Sequence, residues 1–167
     1  MASSLDVEDL YAASYRRLVV QLYAVCGDLG TAEDAVQDAF VTVLRKRRDL
    51  RSVANPEAWV RTVALNRVRT GWRHAAVAVR HRGDLPGPQG EVEVGPEHVA
   101  LVRALSELDT DQRLVVVLYH LADLGIAQIA ADLGVPEGTV KSRLSRARAR
   151  LAGFLHDGAD DKEGHHV

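Results

Sequence analysis

The chain has 167 residues, of which 47% are hydrophobic and 26% charged, and its formal net charge is −2 at pH 7. This length suits one ordinary or two small globular domains, and a single cysteine, Cys26, excludes an internal disulfide. No apolar run approaches the roughly 20 residues that span a bilayer, and the N-terminus lacks the pattern of a signal peptide. We therefore expect a cytoplasmic protein in a reducing compartment.

Three helices are predicted in the N-terminal half of the chain. Apolar residues at helical spacing indicate a first helix over residues 6–26. Thr31 is the predicted N-cap of a second helix, whose apolar stripe covers residues 35–44. Asn55 is the predicted N-cap of a third, long helix that continues toward His81. No period-two stretch is long enough to predict a sheet.

The C-terminal half is predicted to form a separate helical domain. Residues 83–96 contain three Pro and four Gly, a composition typical of an interdomain linker. Beyond it we predict four shorter helices, over residues 97–107, 109–122, 126–133 and 137–155. A short turn with Gly134 between the last two is typical of a helix-turn-helix motif. The predicted fold is therefore all-α, with these parts: a domain over residues 1–82, a flexible linker over 83–96, a helix-turn-helix domain over 97–156, and a disordered acidic tail over 157–167.

Positive charge is concentrated in two segments of this slightly acidic chain. Residues 61–82 contain six Arg and no acidic residue, and residues 135–151 contain four Arg and one Lys. Two basic surfaces suggest a polyanion as the partner. In the last predicted helix, a buried stripe through Val140 and Leu144 would direct the bases outward and leave the N-terminal amides free. Such a helix suits the major groove of DNA.

Three runs of the sequence resemble segments of a known protein family. The run LGVPEGTVKSRLSRARARL closely resembles the promoter-binding end of bacterial extracytoplasmic-function (ECF) sigma factors of the sigma-70 family. GDLGTAEDAVQDAFVTVLRKR resembles the family's core-polymerase-binding helix, and NPEAWVRTVALNRVR resembles its −10-element helix. The resemblance covers about residues 8–155 in the family's order. It implies a sigma factor that binds core RNA polymerase, at its clamp helices and flap, and directs promoter-specific initiation of transcription.

The resemblance also implies roles for individual residues. The −35 element would be contacted by Glu137, Gly138, Thr139, Lys141, Ser142, Arg143, Arg146 and Arg148. The −10 element would be contacted by Arg51, Ser52, Asn55, Asn66, Arg67, Arg69, Thr70, Arg73 and His74. Core polymerase would be bound by Asp34, Gln37, Asp38, Phe40, Val41 and Leu44. The loop over residues 49–55 would hold a base flipped out of the opened strand, and Trp72 is either a stacking platform or part of the core.

Other functions remain open from the sequence. A sigma-like decoy would bind an anti-sigma factor without reading DNA, but the bases Lys141, Arg143 and Arg146 that a decoy would lose are present. A stand-alone helix-turn-helix regulator would leave the basic segment 61–82 without a role. No phosphate-binding Gly loop, metal-ligand spacing or nucleophile–base pair indicates an enzyme. We thus expect no catalytic residue, metal, cofactor, small-molecule substrate or membrane contact. The expected partners are core RNA polymerase, promoter DNA and, in some cases, an anti-sigma factor.

Overall fold

The computed structural model describes residues 6–46, 52–78 and 92–163. Within these ranges every regular element is an α-helix, which confirms the predicted all-α fold. The internal contacts divide the chain into two compact units, Met1–Val94 and Gly95–Val167. None of the helices in the described ranges combines the length and the apolar character of a membrane span.

Three helices build the first unit: α1 (Val7–Cys26), α2 (Leu29–Arg45) and α3 (Pro56–Ala78). Each of them packs against the other two. Leu18, Val36 and Val60 come from different helices and are all fully buried, so one apolar core holds the three together. Ala32 and Ala39, also fully buried, give α2 a small-residue face.

Side-chain caps determine where the helices of the first unit begin. Oδ1 of Asp28 accepts the backbone N–H of Thr31 at 2.7 Å, so Asp28 is the N-cap of α2 and the predicted cap at Thr31 is wrong. Gly27 ends α1 in the left-handed conformation (φ 75°), so the chain turns at once and the carboxylate of Asp28 reaches the first free amides. The prediction for Asn55 is confirmed, because its Oδ1 accepts the N–H three residues on at 3.0 Å.

The end of the predicted linker is attached to the first unit. The backbone N–H of Val92 donates to Oε1 of Glu33 at 2.7 Å, and the side chains of both residues are buried. The guanidinium of Arg16 donates to the backbone carbonyl of Glu93 at 3.2 Å. Glu33 belongs to α2 and Arg16 to α1, so residues 92–94, the docked segment, lie against the α1–α2 hairpin. The rest of the predicted linker up to residue 91 lies outside the described residues.

Four helices build the second unit: α4 (Pro96–Ser106), α5 (Thr110–His120), α6 (Ile126–Leu133) and α7 (Glu137–Glu163). The helix α7 packs against each of the other three. Its predicted apolar stripe is confirmed at Val140, Leu144 and Ala147, which are buried, whereas Leu151, the next residue of the stripe, is only half-buried. Residues 157–163 continue α7 instead of forming the predicted disordered tail, because the intrahelical hydrogen-bond ladder has no proline to end it. Residues 164–167 lie outside the described residues.

The turn between α6 and α7 depends on a glycine. Gly134 ends α6 with φ 66°, and the N–H of Val135 closes the turn on the carbonyl of Ala130 at 3.0 Å. A Cβ at Gly134 would meet no neighbouring atom, so only the backbone conformation requires glycine. The turn fixes the direction in which α7 leaves α6.

Gly134→Ala is expected to lower the free energy of unfolding of the second unit by about 1–2 kcal/mol, because an L side chain is strained at this positive φ. Gly138→Ala is the matched control, since Gly138 also has open space around it but lies within the first turn of α7. Thermal and urea unfolding of both variants measures the difference. Equal stability of the two variants would contradict the assigned role of Gly134.

Candidate functional site

The exposed side of α7 combines basic and short polar residues. Because Val140, Leu144 and Ala147 face the core, the predicted −35 residues lie at the surface, and they are exposed except for the half-buried Thr139 and Arg143. The exposed ones are Glu137, Gly138, Lys141, Ser142, Arg146 and Arg148. The side chains of Lys141 and Arg146 make no hydrogen bond or ion pair within the described part of the chain. They are thus available to an external anion.

The N-terminus of α7 offers fewer free amides than predicted. The N–H of Thr139 donates to the carbonyl of Pro136 at 3.0 Å, in the tight turn that opens the helix. The amides of Glu137 and Gly138 remain at the helix end, where the partial positive charge of the helix favours an anion. A Cβ on Gly138 would meet no atom within 4 Å, so the surface here is open to close approach of a ligand.

Two arginines of α7 are held by residues of α5. Nη2 of Arg143 lies 2.7 Å from Oδ2 of Asp111, and the Arg143 side chain is only 23% exposed. The guanidinium carbon of Arg148 lies 5.6 Å from the ring centroid of Tyr119, a cation–π distance. Neither partner was identified from the sequence, since Asp111 is 32 residues from Arg143 and no local pattern connects them. Arg143 and Arg148 are therefore held by contacts with α5, whereas the Arg146 side chain has no polar partner within the described residues.

The groove beside Arg143 contains charges of both signs. It measures about 560 Å³ and lies between the first turn of α5 and the exposed side of α7. Its lining residues are Asp109, Thr110, Asp111, Gln112, Arg143 and Arg146. Oδ1 of Asp109 accepts the N–H of Gln112 at 2.9 Å as the N-cap of α5, which leaves Asp111 as the acid that faces an arginine.

The predicted −10 residues of α3 lie along its exposed side. Asn66, Arg67, Thr70, Arg73 and His74 are exposed and recur at helical spacings of three and four. Of the remaining predicted residues, Arg69 is half-buried, and Ser52 and Asn55 are exposed before the helix begins. Arg51 lies outside the described residues, as does the predicted base-holding loop before Ser52. The structure thus brings five of the predicted residues onto one helix surface.

Not every arginine of the basic segment is available to a partner. Arg61 is buried, its Nε donates to Oε1 of Gln21 at 2.9 Å, and its Nη2 lies 3.3 Å from Oε1 of Glu57. Nε of Arg17 in α1 donates to this Oε1 of Glu57 at 2.9 Å. Hydrogen bonding to Glu57, together with its charge, raises the pKa of the Arg17 guanidinium above its usual value. These contacts connect α1 to α3, so Arg61 is not part of the exposed basic surface of the segment.

The predicted polymerase contacts are divided between two sides of α2. Asp34 and Asp38 line a cleft of about 350 Å³ against α3, together with Arg67 and Trp72. Asp38 forms an ion pair with Arg67, so a predicted polymerase contact is paired with a predicted −10 contact. Both side chains remain partly exposed, and such a surface pair is easily broken by a partner. The half-buried Trp72 forms part of the cleft wall.

The other side of α2 forms an apolar groove with α1. Its volume is about 450 Å³, and its lining includes Gln37, Phe40, Val41 and Leu44 of α2 with Val7, Glu8 and Tyr11 of α1. The side chains of Leu44 and Val41 are exposed at 53% and 42%, whereas Phe40 is exposed at only 4% and forms the floor. We refer to this feature as the α1–α2 groove.

Tyr11 of α1, which the sequence did not single out as a site residue, lines the α1–α2 groove, and Tyr15 supports it from the same helix. The Tyr11 ring meets Phe40 edge-on at 4.9 Å and stacks on Tyr15 at 4.5 Å between centroids. Nε2 of Gln37 donates to the Tyr15 hydroxyl at 3.2 Å. Burial raises the pKa of the Tyr15 phenol above its ordinary value, although the hydrogen bond from Gln37 opposes the shift, so the phenol stays neutral. Tyr11 and Tyr15 are four residues apart on α1, and this helical spacing was the only indication in the sequence that the two rings are in contact.

Comparison with known proteins identifies the family. Residues 10–77 match the Sigma-70 region 2 family, and residues 98–151 match Sigma-70, region 4. The chain is 35% identical over 136 residues to the ECF RNA polymerase sigma factor SigM of Mycobacterium tuberculosis, with 77% of this chain and 68% of SigM covered. The chain belongs to the ECF RNA polymerase sigma factors. This ECF sigma factor directs promoter-specific transcription, and its partners are core RNA polymerase and promoter DNA.

Further relatives agree with this assignment. SigL of Mycobacterium tuberculosis, also an ECF RNA polymerase sigma factor, is 32% identical over 146 residues, with 83% of this chain and 81% of SigL covered. The sigma factor RpoE of Bartonella quintana, solved in complex with the anti-sigma factor NepR, has a similar fold with a TM-score of 0.71. It is 24% identical, and the match covers 89% of this chain and 96% of RpoE. The function predicted from the sequence is thereby confirmed, and the roles of individual residues remain predictions.

Proposed function

We propose that this sigma factor reads the −35 element with the exposed side of α7 and the −10 element with the exposed side of α3, and binds polymerase through the α1–α2 groove. The domains would be those predicted, with residues 1–82 as region 2 and 97–156 as region 4. The observation that carries this proposal is the orientation of α7. Its apolar stripe is buried, so Lys141, Ser142 and Arg146 are displayed side by side on an open surface.

The dimensions and chemistry of α7 suit the major groove. A single helix fits the groove's width, and arginine can donate two hydrogen bonds to the O6 and N7 acceptors of guanine. Side chains near the helix N-terminus reach base edges, whereas later bases and the free amides of Glu137 and Gly138 suit phosphates. Glu137 at the helix start would accept from a cytosine amino group.

The composition of α3 suits an opened DNA strand. Arg67, Arg73 and His74 supply positive charge for the backbone, and Asn66 and Thr70 supply neutral donors and acceptors for base edges. Trp72 lies beside them in the cleft wall and offers an aromatic face on which a base can stack. An opened strand would displace Asp38 from Arg67, because a phosphate competes directly for the guanidinium.

The α1–α2 groove suits a polymerase helix. Exposed apolar side chains beside an aromatic floor are typical of grooves that accept the apolar face of an amphipathic helix. Leu44 and Val41 protrude from α2 and would be buried in the complex, with Gln37 and Glu8 at the polar edge. Asp34 lines the neighbouring cleft between α2 and α3 and would contact a second, basic part of the polymerase.

Further parts of the proposal concern activity and partners. We infer that the chain has no catalytic activity of its own, takes no cofactor or metal, and acts in the cytoplasm, where polymerase carries out the chemistry. RpoE is seen with NepR, and CnrH is seen with the cytosolic domain of CnrY. By analogy, an anti-sigma protein is a candidate partner here. A purified anti-sigma protein that binds this chain should suppress its transcription.

Run-off transcription tests the proposed function directly. Purified protein is combined with bacterial core polymerase and genomic DNA fragments, and the start sites are mapped. Discrete starts that depend on the protein and share two upstream motifs would support the proposal. Absence of transcripts together with absence of polymerase binding would contradict it and favour the decoy or the stand-alone regulator.

A further inference from the structure

We propose that Asp111 determines promoter specificity by holding Arg143 in position to read a base. The inference rests on the proposed role of α7 at the −35 element. Asp111 lies in the first turn of α5, outside the segment that resembles a DNA-reading helix. Its effect would be exerted through the guanidinium of Arg143.

The contact with Asp111 occupies one N–H donor of the Arg143 guanidinium and leaves the other donors available. Nη2 of Arg143 contacts Oδ2 of Asp111 at 2.7 Å, within the range of a charge-assisted hydrogen bond. A guanidinium carries five N–H donors in a rigid plane, so the remaining donors keep a defined direction while one is occupied. The Arg143 side chain is 23% exposed and that of Asp111 is 62% exposed, so the arginine is confined and the carboxylate is the outer partner.

The charge of Asp111 is unexpected on a surface that binds DNA. A carboxylate near phosphates reduces affinity for every DNA sequence, so its presence here is unfavourable for binding strength alone. Asp109 beside it is already used as the N-cap of α5, which leaves the carboxylate of Asp111 for the arginine. Lying in the first turn of α5, this carboxylate is also favoured by the helix dipole. A group that weakens general binding and orders one arginine favours discrimination between sequences.

The contrast with Arg146 supports this interpretation. Arg146 lines the same groove, but its side chain has no polar partner within the described residues. An arginine without a partner can rotate to the nearest phosphate, which carries no sequence information. The Arg143 side chain is only 23% exposed, against 60% for Arg67, so its pair with Asp111 resists competition from a phosphate and disfavours such a rotation. The two arginines would therefore differ in role, with Arg143 reading sequence.

Asp111→Asn in the full-length chain tests the inference. Holoenzyme formed with core polymerase is titrated against two duplexes, the promoter mapped by run-off transcription and the same promoter with its upstream element scrambled. We expect affinity for the scrambled duplex to rise or stay unchanged, because a negative charge is lost. The preference for the native promoter should fall about fivefold or more, the loss expected when one base contact is impaired. Asp111→Ala should give at least the same loss.

The double variant Asp111→Asn with Arg143→Ala separates positioning from a general electrostatic effect. If Asp111 acts through Arg143, the aspartate change causes no further loss of preference once the arginine is gone. Equal changes in affinity for both duplexes, or a full additional loss in the double variant, would overturn the inference. If the wild-type holoenzyme does not distinguish the two duplexes, the proposed −35 role itself fails, an outcome visible before any variant is measured. Thermal unfolding confirms that the variants are folded.

Discussion

Leu44→Asp is expected to weaken the binding of this sigma factor to core RNA polymerase at least tenfold and to abolish promoter-dependent transcription. Leu44 is 53% exposed at the α1–α2 groove, so its side chain contributes little to the fold. In the complex the same position would be covered by polymerase, and an unpaired carboxylate there must lose its water. Interface positions of this kind are where single substitutions have large effects on affinity. Titration of labelled sigma factor with core polymerase measures the change.

Leu101→Asp is the matched control for this prediction. Leu101 lies on α4 of the second unit and is 36% exposed, so the same chemical change is made at a comparable surface position. Both variants should unfold within about 0.5 kcal/mol of the wild type. Phe40→Ala is unsuitable, since Phe40 is buried and its truncation would cost about 3–5 kcal/mol of stability. Normal polymerase binding by Leu44→Asp would show that the α1–α2 groove is not the docking surface.

Arg146→Ala is expected to weaken holoenzyme binding to the promoter by about 1–3 kcal/mol if Arg146 makes a bidentate base contact from the exposed side of α7. Its side chain has no polar partner within the described residues, so truncation breaks no internal contact and stability should not change. A loss that is equal on the native and the scrambled upstream element would identify a phosphate contact. A loss confined to the native element would identify a base contact. Titration at two salt concentrations also gives the number of phosphates that the protein neutralises, because binding releases the counterions condensed on them.

Arg150→Ala provides the control for charge alone. Arg150 is exposed on α7 one helical turn after Arg146, and therefore farther from the end that would enter the groove. Its truncation removes the same charge and should weaken binding to both duplexes by a smaller, equal factor. Effects of Arg146→Ala no larger than those of Arg150→Ala would contradict a direct DNA contact by Arg146.

Much of the fold could be predicted because its signals are local. The stripe Val140, Leu144 and Ala147 repeats at the helical period, and burial of this stripe alone determines which residues of α7 face outward. Asn55 was recognised as a cap because its neighbour is proline at the first helical position. The cap of α2 was misplaced because both Asp28 and Thr31 are good capping residues, and only the sharp turn at Gly27 decides between them.

The electrostatic contacts of the site could not be predicted in the same way. The pairs Arg143–Asp111 and Arg67–Asp38 each join two helices, and they depend on how those helices pack. The sequence predicts which residues lie on a helix surface but not which opposite charge a neighbouring helix brings to them. Arg61 is a partial exception, because Glu57 four residues earlier indicates an intrahelical pair that would remove this arginine from the DNA-binding surface.

The docked segment changes which part of the chain connects the two units. The chain leaves α3 at Ala78 and is bound to the first unit again at Val92, so the covalent path to the second unit starts there and passes through Gly95. An insertion between these two attachment points adds closure entropy, which rises by only about 0.6 kcal/mol for each doubling of length. Evolution can therefore vary the number of residues between Ala78 and Val92 without lengthening the covalent connection between the two units.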